Sequence, residues 1–176
     1  MIKISTSGLQ ATIDKIKHLE TSLPDKMKEV VERMMDEGYQ VASVLFTDAL
    51  YAGTNDVVVD APVWEDDRLV LRANGNAVAF IEFGTGKFYE DYPNQDAYSK
   101  LGLSQRGEYG KGKGAHPPWR YIGDAGNLGV VLKHKSDGTD VIQTYGNPPA
   151  RAMYQATVTL TDQQRLTEIA REVFGK

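Results

Sequence analysis

The chain has 176 residues, 41% of them hydrophobic, which suits one domain with a real core rather than two. Its 20 basic and 24 acidic residues leave a formal charge of -4, which argues against a general nucleic-acid binder and leaves room only for a local basic patch. The absence of cysteine excludes a disulfide framework, a thiolate metal site and a cysteine nucleophile, so stability must come from packing or assembly.

The first ten residues lack a basic segment followed by an apolar core, and no run approaches the roughly 20 apolar residues that span a bilayer. A soluble, unprocessed chain with no membrane partner is expected. Ile2 and Ile4 alternate with Lys3 and Ser5, as in a short edge strand. Leu9, Ile13, Ile16 and Leu19 then recur at helical steps, and Ser22 and Pro24 are expected to end that helix. Pro24 suits the first turn of a second helix, with Ser22 or Leu23 near its cap and Asp25 at the positive end of its dipole. This second helix is expected to reach about Leu50, with Met27, Val30, Val31, Met34, Val41, Leu45 and Ala49 in one stripe. Gly38 interrupts it at a cost of about 1 kcal/mol relative to alanine, unless a neighbour packs closely there. A helix this long projects past a small sheet, and its free end would suit a subunit contact.

Val57 to Asp60 and Val63 to Glu65 read as strand, Asp66-Asp67 as turn and Arg68 to Arg72 as the returning strand, with Asn74-Gly75 as a further hairpin signal. The hairpin leads into Ala77 to Gly86, AVAFIEFGTG. Ala77, Ala79, Ile81 and Phe83 alternate with Val78, Phe80 and Glu82, so a central strand is expected, ending in a sharp turn at Gly84 and Gly86. The glutamate in this apolar run is unusual. The expected fold is α+β: an antiparallel meander covered by a long N-terminal helix and a C-terminal helix.

Lys87 to Gly129 is rich in Tyr, Gly and Lys, carries Pro93, Pro117 and Pro118 and lacks periodicity, which predicts a long loop insertion within the single domain. Its aromatics Phe88, Tyr89, Tyr92, Tyr98, Tyr109, Trp119 and Tyr121 are candidate subunit or partner contacts, and Lys111, Lys113 and Arg120 are candidate DNA contacts. A hairpin, Val130 to His134 and Val141 to Tyr145, turns at Ser136-Asp137-Gly138. After Pro148-Pro149 the chain turns helical, with a break expected near Thr161, which is placed to cap the last segment.

Gly84-Thr85-Gly86-Lys87 lacks the spacer and the hydroxyl residue of a phosphate loop, and Gly110 to Gly114 lacks the strand-to-helix crossover of a dinucleotide site, so no cofactor is expected. His18, His116 and His134 show no metal-ligand spacing, and no nucleophile elbow is present.

The long amphipathic N-terminal helix, the stretch ending in Ile81-Glu82-Phe83-Gly84-Thr85, a variable insertion and Pro-Pro-Ala-Arg-Ala-Met leading into a C-terminal helix occur here in that order. Together they resemble the tail-completion and head-tail joining (neck) proteins of long-tailed bacteriophages, over roughly residues 9 to 86 and 146 to 175. The resemblance implies a virion protein, not an enzyme, forming a homo-oligomeric ring of six subunits at the head-tail interface. Its partners would be the portal, connector or head-closure protein and the tail-tube protein, with transient DNA contact in the lumen. It implies that Glu82, Phe83, Gly84, Thr85 and Gly86 form a structural turn against Pro148 and Pro149. Two competing readings are an enzyme using the 87 to 129 loop as a lid and a nucleic-acid-binding module.

Overall fold

The computed structural model describes residues 6–86 and 118–175, with side chains from residue 10 onward. The architecture is α+β. Helix α1 (Thr6–Thr47) is followed by strands β1 (Val58–Glu65) and β2 (Arg68–Asn74) and helix α2 (Val78–Phe83). Strands β3 (Trp119–Ile122), β4 (Val130–His134) and β5 (Asp140–Thr144) come next, then helices α3 (Ala152–Leu160) and α4 (Gln163–Phe174). The edge strand expected at Ile2 and Ile4 lies outside the described residues.

One unbroken helix replaces the expected pair, because α1 runs through Pro24. Proline's fixed φ is compatible with a helix, and what the ring removes is the bond to the carbonyl four residues back. The hydroxyls of Thr21 and Ser22 donate to the neighbouring carbonyls of Lys17, His18 and Leu19 at 3.0–3.3 Å, so this turn keeps a dense set of bonds. At about 1.5 Å per residue α1 is roughly 63 Å long. Its second half is the spine of the fold: Phe46, with Ala49 just beyond the helix end, meets Ala77, Ile81 and Ala152, while Val30 and Met34 meet Ile169 and Val173 of α4. Gly38 lies between these clusters, where an added Cβ would sit 3.2 Å from Leu160, so the glycine admits that side chain. Of the expected stripe, Met27 and Val31 face solvent instead.

The strands form two separate antiparallel sheets, β1-β2 and β3-β5-β4, rather than one continuous meander. The β1-β2 hairpin turns at Asp66 and Asp67 as expected, and it is pinned to α1 where Trp64 Nε1 donates to Glu32 Oε1 at 2.7 Å. Asn74-Gly75 is not a second hairpin. Asp56 accepts from the backbone N–H of Asn76 and of Ala77, each at 2.9 Å, and this bends the chain out of β2 into α2.

The stretch expected as a central strand is therefore the short helix α2. Ile81, Glu82 and Phe83 are all buried. With no solvent face, a short apolar run carries no periodicity that separates strand from helix.

The end of the expected loop is also ordered, since Trp119 to Ile122 pair with β5. The β4-β5 hairpin matches its expected limits closely. The break after α3 is present, but Asp162 caps α4, accepting from Gln164 N and Arg165 N at 2.9 and 3.2 Å, while Thr161 bonds back into α3. Arg165 then clamps α4 to α1 through a forked contact with Glu37 at 2.6–3.1 Å. No described helix is long and apolar enough to cross a membrane.

Candidate functional site

The corner where α2 meets the chain leading into α3 holds the most concentrated polar network of the described core. Both helix ends carry orphan backbone groups that must find partners. The last carbonyls of α2 are met from the 147–151 segment: Asn147 Nδ2 donates to Phe80 O at 2.9 Å, Ala150 N to Ile81 O at 2.8 Å and Arg151 N to Glu82 O at 3.2 Å. Pro148 and Pro149 have no N–H, so this segment crosses the end of α2 without leaving donors of its own unsatisfied.

The start of α3 is met from the other side. Arg151 stands at its N-cap in a left-handed conformation and gives no side-chain cap. The cap comes from Glu82, whose Oε2 accepts from Met153 N at 2.9 Å and Oε1 from Tyr154 N at 3.1 Å, across 71 and 72 positions of sequence. This is the bonding an N-cap aspartate would supply to the second and third helical amides, delivered by a distant residue. A carboxylate at the positive end of a helix also gains from the dipole. Glu82 is only 3% exposed, so its charge is compensated by protein donors rather than by bulk water.

Thr85 closes the corner. Its Oγ1 donates to Asn147 Oδ1 at 2.6 Å and accepts from Asn147 N at 3.1 Å, while Thr85 N donates to Asn147 O at 2.9 Å. Two backbones approach closely here. A Cβ on Gly84, whose φ is 76°, would lie 2.8 Å from the Pro149 nitrogen, and one on Gly146, whose φ is 100°, would lie 2.1 Å from Thr85 O.

The structure thus gathers Glu82, Phe83, Gly84, Thr85 and Gly86 with Pro148 and Pro149, and adds Gly146 and Asn147, which sequence reasoning missed. The available signal was the Gly-Asn pair directly before the two prolines.

Beside the corner, Trp119 and Tyr121 line a cavity of about 280 Å³ together with Tyr51, Phe80 and Thr85. Burial pushes the Tyr121 phenol up to about 12, helped by Tyr51 and Asp124, and burial also raises Tyr51. Both phenols stay protonated at neutral pH, the opposite of what a tyrosine base needs. Tyr121 donates to Asp124 O at 2.7 Å. Arg120 is exposed on β3. Phe88, Tyr89, Tyr92, Tyr98 and Tyr109, with Lys111, Lys113 and His116, lie outside the described residues. His18 is exposed on α1, and His134 Nδ1 lies 2.7 Å from Asp140 Oδ1 on the β4-β5 hairpin. Among the described residues no three or more His, Asp or Glu side chains gather as a metal site.

Asp56 links the corner to acid sensitivity. The N–H groups of Asn76 and Ala77 hold its carboxyl below the ordinary value of 3.8. A lowered folded-state value contributes stability above the unfolded value, and the contribution is lost as pH falls through the folded one. Thermal melts from about pH 6 down to about pH 2.5 should therefore show a steeper acid loss for the wild type than for Asp56→Asn, which lacks this contribution at every pH. Parallel curves would contradict the role given to Asp56.

No protein-family model matches the chain, and searches of curated proteins and of solved structures give no match.

Proposed function

We propose that this protein is a structural component of a tailed bacteriophage virion, forming a ring at the head-tail junction as a tail-completion, tail-terminator or head-closure subunit. One observation carries the reading beyond motif order. The two segments that bear the resemblance, Ile81 to Thr85 and Pro148 to Met153, are far apart in sequence yet bonded into a single corner, with Glu82 joining one helix end to the next. Such a corner fixes the angle between α2 and α3, and Phe46 of α1 packs on Ile81 and Ala152 beside it, which gives the fixed geometry a repeated building block needs. The first half of α1 supports the same reading, since its residues 10–21 are all exposed.

In this role the partners are further copies of the chain, a portal, connector or head-closure protein on one side and a tail-tube protein on the other. Loading DNA would pass through the lumen, where the acidic balance of the chain favours sliding over gripping. Negative-stain electron microscopy of the purified protein, alone and mixed with tube or connector protein, should show rings. Particles without a central opening under all three conditions would count against the proposal.

A further inference from the structure

The cavity of about 280 Å³ beside the corner is walled by four aromatic side chains from three parts of the chain. Tyr51 follows the end of α1, Phe80 lies on α2, and Trp119 and Tyr121, two positions apart on β3, share the inner face of that strand. All four are half-buried. Two glycines seat the rings. A Cβ on Gly53 would lie 2.9 Å from Tyr51 Cε1, and one on Gly86 2.9 Å from Cζ3 and Cη2 of Trp119, so both rings stand directly against backbone. The fold thus places them in advance, which lowers the ordering cost of binding a ligand.

The rest of the lining is polar but committed. Thr85 Oγ1 donates to Asn147 Oδ1 at 2.6 Å, Asn147 Nδ2 to Phe80 O at 2.9 Å and the Tyr121 hydroxyl to Asp124 O at 2.7 Å, while Thr144 Oγ1 accepts from Gly146 N at 3.0 Å. The polar tips left over, the Tyr51 hydroxyl and the Trp119 N–H, are neutral. Among the described residues no charged side chain lines the cavity. An anion would find no cation there, and a sugar or a nucleobase would leave most of its own donors and acceptors unmatched.

The surroundings are acidic. The Asp124 carboxylate, which accepts from Thr54 Oγ1 and Gly126 N at 3.0 Å each, acts electrostatically on the Tyr121 phenol, and Asp56 acts in the same way on Tyr51. Arg120 stands between Trp119 and Tyr121 in sequence but on the other, exposed face of β3. Aromatic faces with acidic neighbours attract a cation. A primary ammonium brings three donors that the committed side chains cannot match, whereas a quaternary ammonium brings none.

We infer that this cavity binds a compact quaternary ammonium ion of the choline type, held by cation–π contact with Tyr51, Trp119 and Tyr121. Its volume falls just below the roughly 300–1,000 Å³ of sites for drug-sized ligands, which suits a trimethylammonium head and little more. The whole cavity belongs to one copy of the chain, so binding is expected whether or not rings form.

Choline and its neutral carbon isostere, in which a tert-butyl group replaces the trimethylammonium, share a shape and differ in charge. Titrated into the full-length protein and followed by proton NMR, choline should bind at least about tenfold more tightly than the isostere, with its methyl signal moved upfield by the rings. Equal binding of the two would mark an apolar pocket indifferent to charge and overturn the inference, as would no detectable binding of choline. Trp119→Leu, with its fold checked by circular dichroism, should weaken choline binding at least about tenfold. Unchanged affinity in that variant would place the cation elsewhere and overturn the inference. If Trp119→Leu does not fold, Tyr51→Phe and Tyr51→Leu decide the same point: the first keeps the ring and should keep binding, the second should lose it, and equal binding by the two would overturn the inference.

Discussion

Glu82→Ala is expected to lower the stability of the folded chain by about 3–5 kcal/mol, read as a fall in the urea midpoint at unchanged slope. The carboxylate accepts from the backbone amides of Met153 and Tyr154 at 2.9 and 3.1 Å in a buried setting. Removing it orphans both N–H groups at the start of α3, each worth about 1–3 kcal/mol when left unpaired out of water. It also takes a negative charge from the positive end of the helix and leaves a gap in a buried corner. Glu82→Gln keeps one acceptor but turns an NH₂ toward the second amide, so roughly half of the loss is expected. Assembly should fall with stability, because Ala152 at the capped end of α3 packs on Phe46 of α1. A soluble Glu82→Ala protein that assembles and melts like the wild type would show that the corner does not depend on this residue.

Gly146→Ala is the second large effect, a loss of about 3 kcal/mol or more, since backbone strain alone costs about 1–3 kcal/mol and a close contact adds to it. Gly146 has a φ of 100°, and its new Cβ would lie 2.1 Å from the carbonyl oxygen of Thr85 and 2.6 Å from its carbon. Two backbones would have to part, which stretches the Thr85 N to Asn147 O bond of 2.9 Å and the side-chain contact of 2.6 Å beside it. Gly138→Ala separates the two contributions. Gly138 has a φ of 81° but nothing within 4 Å of the added Cβ, so only the conformational cost, about 1 kcal/mol, is expected there. Equal losses at the two positions would mean that the close approach of 85 and 146 carries no weight.

The parts of the fold legible in the sequence are those that keep a face toward solvent. The β1-β2 hairpin announces itself through partial alternation and the turn at Asp66-Asp67, and the β4-β5 hairpin through its β-branched residues and the turn at Asp137-Gly138. The second half of α1 announces itself through a stripe, although its inward face is better described by Val30, Met34, Ala42 and Phe46 than by a line through Met27 and Val31. The stretch from Val78 to Phe83 fails for the converse reason. Burial all round erases the period, and the deciding bonds come from Asp56, about twenty residues upstream. Pro24 misleads because a local penalty of about 3 kcal/mol is smaller than what a 42-residue helix gathers along its length.

Within the corner the sequence flags Glu82 by setting a charge in an apolar run, but it names no partner. The partners are backbone amides, which carry no residue signature, and their distance along the chain hides them from any local pattern. Asn147 is missed in the same way, since its role depends on Thr85 arriving across 62 positions. The turn that the resemblance sets against Pro148 and Pro149 is a joint between two distant segments, and its bonds tie the end of α2 to the start of α3.

Sedimentation equilibrium of the wild-type protein, alone and with tail-tube or connector protein, tests a ring-forming role most directly. A single closed assembly several times the 19.5 kDa chain mass, stable on dilution, is the expected result. A 19.5 kDa particle at every concentration and with either partner present would contradict it.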